Sequence, residues 1–274
     1  MSNDFATICI SAWNRQALLQ RCLESLWANT HWPHEILVHD DGSQDATSNY
    51  LYKLSREGKI GPLITSPPGY NRGHGTSVNR AVNISEGKYI VKINGDDEFS
   101  PGWLTKAVRT MELFPEIGLL HLAHYDYTAL WNQRYPDKPK DPNVDCYTLH
   151  REMREGEWVR VIWCGPGDGF MFTRDFWNEV GPWFSEYDPA FGEDVYFRLK
   201  ACPMMRRPLQ PPGSKLCPPT VEELPAHWEK YKDTPWLATV DPPLISFAMG
   251  EGLCSIYEAQ KTLKHGPLLH GRQE

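Results

Sequence analysis

Three acidic clusters stand out in the chain: Asp40-Asp41-Gly42-Ser43, Asp96-Asp97-Glu98 and Glu193-Asp194. Each lies where a strand or loop should end. Acids placed in this way behind apolar runs point to a site for a nucleotide and a metal ion with a catalytic carboxylate beside them. A divalent cation takes hard oxygen ligands and leaves positions open for phosphates and water. A carboxylate within reach of a hydroxyl can remove its proton.

The elements that must position these acids are legible from periodicity. Ala6-Thr7-Ile8-Cys9-Ile10 reads as a buried strand, and the segment after Ser11-Ala12-Trp13-Asn14-Arg15 places Leu18, Leu19, Cys22, Leu23 and Leu26 on one helical face. Glu35 to His39 reads as a second strand, followed by the Asp40 turn and a helix that starts within Gln44 to Leu51. A third unit runs from a helix over Thr76 to Ser85, through the turn Glu86-Gly87, into the strand Lys88 to Ile93, which ends at Asn94-Gly95-Asp96-Asp97. Ser100 is expected to cap the next helix, with Pro101 at its first position. Strands alternating with helices predict an α/β fold, with a mostly parallel sheet covered on both faces. Ligands of such sheets bind beyond the carboxyl ends of the strands, the rim on which Asp40 and Asp41 fall.

As a set and in this order, Ile8 to Arg15, Asp40 to Thr47, Asn79-Arg80-Ala81 with Glu86 to Ile90, and Gly192-Glu193-Asp194 resemble glycosyltransferase family two, over about residues 6 to 200. The resemblance implies the GT-A fold, a Rossmann-like, mostly parallel sheet flanked by helices. It implies an enzyme that moves a sugar from a UDP-sugar to an acceptor hydroxyl with inversion, using Mn²⁺ or Mg²⁺. Residues 1–202 would form the catalytic domain, nucleotide-binding over about 1–100 and acceptor-binding over about 101–202, and residues 203–274 a proline-rich C-terminal arm packed on it.

The resemblance also implies roles for residues. Asp40 would accept a hydrogen bond from the uracil ring, with Ser11, Ala12, Trp13, Asn14 and Arg15 forming the loop around the base. Asn79, Asn94 and Gly95 would join the donor site. Asp96 would hold the cation between the two phosphates, with His227 as a further ligand. Asp194 would be the general base and Glu193 its neighbour for orientation or acceptor binding. General-base catalysis contributes about 10²- to 10⁴-fold. The chain departs from the family's DxD pattern at Asn94, whose amide can hydrogen-bond a ribose hydroxyl but brings no charge. Asp97 or Glu98 could compensate.

Other residues have plainer readings. Asp45 and Thr47 suit an Asx turn and a helix start. Asp168, in the glycine-rich run Trp163 to Phe172, could contact a sugar hydroxyl or simply make a turn. Thr173 is placed to cap a short helix that Gly181-Pro182 ends. His121 and His124 fall on opposite faces of a strand and are excluded as ligands.

Composition bounds the rest. A net charge of −7 gives no support to broad binding of a phosphate backbone. There is no apolar run of 18 residues, and the first residues lack signal-peptide character, so a soluble cytoplasmic protein is expected. Seven cysteines without a CxxC pair suit a reducing compartment and read as buried small residues. Ten of the 23 prolines fall within 203–243, which excludes regular helix or central strand throughout. Leu209, Leu216, Val221, Trp228 and Trp236 would anchor this arm. Two other functions compete. A nucleotidyltransferase of similar fold would need a glycine-rich basic phosphate loop, which Ser11 to Arg15 does not supply. A sugar-binding or inactive relative would explain Asn94 and the 11 tryptophans, but retention of Asp40, Asp96, Glu193 and Asp194 weighs against it.

Overall fold

The computed structural model describes residues 4–124, 148–162, 169–183 and 236–246, with short pieces at 226, 229–230 and 232–234. The first half is built from repeated strand and helix units. Strand β1 (Ala6–Ala12) leads to helix α1 (Gln16–Asn29), β2 (His34–Asp40) to α2 (Thr47–Arg56), and β3 (Leu63–Thr65) to α3 (His74–Ile84). Then come β4 (Tyr89–Asn94), the short β5 (Asp97–Phe99) and α4 (Trp103–Leu113). The second half adds β6 (Ile117–His124), β7 (Thr148–Arg154), β8 (Glu157–Ile162), β9 (Gly169–Thr173), α5 (Arg174–Val180) and β10 (Trp236–Ser246).

All ten strands join one sheet in the order β3-β2-β1-β4-β9-β6-β10-β8-β7, with β5 paired to β10. From β3 to β4 every pairing is parallel. β9 then runs antiparallel between β4 and β6, β10 lies parallel to β6, and β8 and β7 close the far edge as an antiparallel hairpin.

Alternation along the strands sends side chains to two cores. Ile8 and Ile10 of β1, with Val91 and Ile93 of β4, meet Leu19, Cys22, Leu23 and Leu26 of α1 and Trp103 and Leu104 of α4. On the other face Cys9, Leu37, Ile90, Phe170 and Phe172 meet Val78, Ala81 and Val82 of α3 and Trp177 of α5. Burying each large apolar side chain contributes about 1.5–3 kcal/mol, so this double cover fixes both register and face. Cys9 and Cys22 are buried free thiols, as the sequence implied. Burial pushes Cys9 up to about 12.

Two expectations change. Ser100 does not cap α4. Its carbonyl accepts from Trp103 N across Pro101-Gly102, with Gly102 at φ 73, ψ 11, the dihedrals of a type II turn, and Gly102 N bonds to Asn29 O. That turn moves the helix start to Trp103. The C-terminal region contributes more intimately than an arm: β10 lies inside the sheet, between β6 and β8. Pro242 and Pro243 are accommodated where the register with β6 shifts, between Val240 and Leu244. Thr173, in contrast, caps α5 as expected, accepting from Phe176 N at 3.1 Å.

Candidate functional site

The chain leaves β1 for β2 and β3 on one side, then crosses back to β4 on the other. The strand order therefore reverses between β1 and β4, and the crevice beyond their carboxyl ends is where an open α/β sheet binds ligands. Two clusters meet there. Ala12 pairs with Asp40 across β1 and β2, and Ser11 pairs with Asn94 across β1 and β4. Arg15 Nη1 lies 4.0 Å from the Asp96 carboxylate, spanning the crevice.

The loop between β1 and α1 is held in an uncommon shape. Asn14 and Arg15 both have positive φ, 58° and 62°. Asparagine tolerates this region, whereas for arginine it stores strain that neighbouring bonds must offset. Those bonds come from the turn after β2: Asn14 N donates to Ser43 Oγ at 2.8 Å, Gln44 N to Asn14 Oδ1 at 2.8 Å, and Asp41 N to Ala12 O at 2.8 Å. Gln16 N donates to Asp45 Oδ2 at 3.3 Å, and Asp45 also makes the expected Asx turn by accepting from Thr47 N. Ser11 and Trp13 are half-buried at this rim, and the Trp13 indole N–H is enclosed without a partner among the described residues.

Asp40 faces inward. It is 2% exposed, its Oδ1 accepts from Ser43 N at 2.9 Å, and its Oδ2 accepts from Ser48 Oγ. In this arrangement Asp40 holds its own turn. Asp41, read from the sequence as part of a turn, clamps a second loop. It is 1% exposed and accepts from Arg72 N at 2.9 Å, Gly73 N at 2.8 Å and Ser66 Oγ at 3.1 Å. Burial raises its carboxyl, and these bonds pull the other way. Gly42 lets the two loops touch: its φ is +86°, and a Cβ there would sit 2.5 Å from Pro67 O. The clamped loop presents Tyr70 and Arg72 to solvent, the guanidinium 4.7 Å from the ring centre. Beneath it His39 contacts Ser66 Oγ at 3.2 Å and lies 3.4 Å from Arg80 Nη1. Burial, then the Arg80 charge, lower His39 to about 4.

Asn79 has a structural employment. Its amide donates to Trp183 O at 2.9 Å and accepts from Trp183 N at 2.8 Å, fastening α3 to the segment after α5. Asn94 ends β4, and Gly95 follows under Leu19 and Ser11 O. Asp96, 24% exposed, is the acid of its cluster that faces Arg15. Asp97 is buried and accepts from Asn94 N at 2.9 Å, and Glu98 pairs with Arg21 at 3.6 Å. Lys92, one strand repeat earlier, is buried and donates to Asn94 Oδ1 at 2.9 Å. It was overlooked in the sequence, although a lysine within Tyr89-Ile90-Val91-Lys92-Ile93 is a visible break in an apolar run. Glu193, Asp194, Asp168 and His227 lie outside the described residues.

Among the described residues no three His, Cys, Asp or Glu side chains cluster as a metal cage. The Asp96 carboxylate still fits a cation held by one or two protein acids plus substrate phosphates, the usual manner of Mg²⁺. The amino ends of the strands offer a different surface, a broad cleft bordered by Lys88, Glu112, Glu116, Arg154 and Glu179. Within it Arg154 pairs with Glu116 at 2.8 Å, and it lacks the switch-point loops.

A Rossmann-like α/β sheet with acids gathered at its switch point defines a nucleotide-binding class of protein. Comparison with known proteins makes this specific. The model of the glycosyl transferase family 2 matches residues 7–208, and the chain belongs to that family. An uncharacterized glycosyltransferase of Nostoc is 27% identical over 185 residues, covering 64% of this chain and 53% of its own length. The chain spans between half and two thirds of the curated relatives it matches first. Among solved structures, S. aureus TarS residues 1–349 in complex with UDP superposes with a TM-score of 0.56 at 16% identity, covering 88% of this chain and 60% of that one. The mannosyltransferase PcManGT from Pyrobaculum calidifontis, in complex with GDP-Man and Mn²⁺, gives 0.51 at 16% identity, covering 76% and 55%. These likenesses establish the GT-A fold. Among the described residues no helix is long and apolar enough to cross a membrane.

Proposed function

We propose that the protein transfers a sugar from a UDP-sugar to an acceptor hydroxyl with inversion at the anomeric carbon. The observation that carries this reading is the meeting of the Ser11 to Arg15 loop with the Asn94 to Asp96 turn at the switch point, spanned by Arg15 and Asp96. Family membership and the UDP complex of TarS support it.

In this reading the rigid loop around Trp13 and the clamped Tyr70 to Arg72 loop flank the nucleoside. Asp96 is the residue that would hold Mn²⁺ or Mg²⁺, with His227 as a candidate second ligand. The cation, when bound, would supply Lewis-acid stabilisation of the departing diphosphate. The N-terminus of α1 opens on the same crevice, and its positive end favours an anion there. Asp194 takes the proton of the acceptor hydroxyl as the hydroxyl oxygen bonds to the anomeric carbon and the bond from that carbon to the diphosphate oxygen breaks. Glu193 orients the acceptor, and Asp168 borders the sugar. UDP and the glycoside are the products.

Thermal unfolding with UDP, and with GDP in parallel, each with and without Mn²⁺, tests the donor half. A ligand at 100 times its Kd adds about 2.7 kcal/mol of stability. Stabilisation by UDP that needs Mn²⁺ is expected, and equal stabilisation without metal would remove Asp96 as its ligand. For the acceptor half, Asp194→Asn should abolish transfer while UDP affinity stays. An active Asp194→Asn enzyme would reject its role as base.

A further inference from the structure

Arg15 and Asp96 belong to different units of the fold and meet across the crevice, Nη1 4.0 Å from the carboxylate, with side chains 30% and 24% exposed. The backbone that carries the guanidinium is fixed. Arg15 is the N-cap of α1 at φ 62, and its carbonyl accepts from Leu18 N and Leu19 N at 3.0 and 3.1 Å. On either side of it, Asn14 N and Gln16 N donate to Ser43 Oγ and Asp45 Oδ2. A bulky residue kept at positive φ shows that these bonds overrule the backbone's own preference. The guanidinium can therefore change partners only by rotating its side chain about an anchored point.

The carboxylate it faces is the one that fits a divalent cation. A dication takes carboxylate oxygens at about 2.0–2.6 Å, which makes it a close neighbour of Arg15 with the same sign of charge. The existing ion pair is a weak obstacle, since pairs at such exposure contribute little. Repulsion is the stronger effect, because the incoming charge is double. A diphosphate reverses the balance: its oxygens can take the guanidinium fork and face the cation at once. We infer that Arg15 makes cation binding conditional on the nucleotide, its guanidinium serving as the counter-ion of Asp96 in the nucleotide-free protein and passing to the diphosphate when a cation takes its place. Arg15 thus discriminates a cation arriving with its nucleotide from a cation alone. This inference rests on the nucleotide-sugar reading above and adds a coupling between two partners of one site. By linkage, the factor by which the nucleotide raises cation affinity is the factor by which the cation raises nucleotide affinity.

The test uses the full chain as native protein, Arg15→Gln, Arg15→Gly, Arg15→Lys and Asp96→Asn. Glycine accepts the positive φ without strain, so that variant guards against a folding defect in Arg15→Gln. Binding of Mn²⁺ alone is read by electron paramagnetic resonance of the free ion, and binding of UDP at saturating Mn²⁺ by titration calorimetry. Arg15→Gln and Arg15→Gly should tighten Mn²⁺ alone by about tenfold and weaken UDP with Mn²⁺ by about tenfold, the scale of one charge a few ångströms from a dication. Arg15→Lys, which keeps the charge, should stay within about threefold of the native protein in both. Two results overturn the inference: Mn²⁺ alone bound no better by Arg15→Gln and Arg15→Gly than by the native protein, even if UDP weakens, or Arg15→Lys behaving as Arg15→Gln does. A different result, equal Mn²⁺ affinity in Asp96→Asn and the native protein or no binding of UDP by the native protein, removes the underlying reading of the site and this coupling with it.

Discussion

The turn after β2 and the turn after β4 both begin with acids at the carboxyl edge of the sheet, yet they use them in opposite ways. Asp40 and Asp41 are 2% and 1% exposed and spend their oxygens on main-chain N–H groups and serine hydroxyls. Asp96 stands 24% exposed, facing Arg15 across the crevice. The first pair shapes the loops of the crevice, and the second acid faces into it. A run of carboxylates therefore has no single meaning: burial and the supply of nearby donors divide framing from contact.

Substitutions should split along that line. Asp96→Asn should lower transfer by about 10²-fold or more, the scale of losing several kcal/mol of charge stabilisation, and change folding stability by less than about 0.5 kcal/mol. Rate assays beside urea melts would measure both, and a large loss of stability would erase the contrast. Asp41→Ala should do the reverse first. It strands the N–H of Arg72, leaves that of Gly73 with Asn71 Oδ1 alone, and should cost about 2 kcal/mol of stability, with weaker nucleotide binding following from the released loop. An Asp41→Ala protein as stable as the native one would show that the clamp is dispensable.

The smallest effect concerns acid. His39, beneath the framed side, titrates near 4 against 6.5 in the unfolded chain. Between those values the unfolded chain holds the proton and the folded one does not, so stability falls as the pH drops from about 6.5 to about 4. Arg80, Asp40, Asp41 and Ser66 surround it. Asp41, raised by burial, slopes the other way but is common to both proteins in a comparison. His39→Gln should therefore lose less stability than the native protein between pH 7 and 4.5, by about 1 kcal/mol after solvent screening. Parallel urea midpoints at the two pH values would read it, and identical losses would refute it.

The same division explains what the sequence made legible. The units β1-α1, β2-α2 and α3-β4 emerge from period alone, because Ile8 and Ile10 alternate with Cys9, and Leu19, Cys22, Leu23 and Leu26 line one helix face. The location of the first two acidic clusters at one rim follows from those units. What escaped was the direction of individual side chains. Nothing local in Asn79 announces that Trp183, 104 residues away, will occupy its amide. Nothing in Asp40-Asp41-Gly42-Ser43 says which oxygen finds Arg72, since that depends on how the later loop folds back. Ser100-Pro101 carried two valid signals, for a helix start and for a turn, and Gly102 at the next position settled it for the turn. Lys92 was readable as an anomaly but not as the partner that orients Asn94.

The placement of β10 has a consequence for how this protein comes into being. The region matched by the family ends at residue 208, but the sheet is completed only by residues 236–246, which slot between β6 and β8. As the polypeptide emerges during synthesis, both of those neighbours must wait with their inner main-chain edges open until more than seventy later residues have been added. An open edge of this kind invites pairing with other chains. A shortened protein stopping near residue 208 would keep that gap permanently, and its insolubility would then report a missing strand rather than a faulty active site.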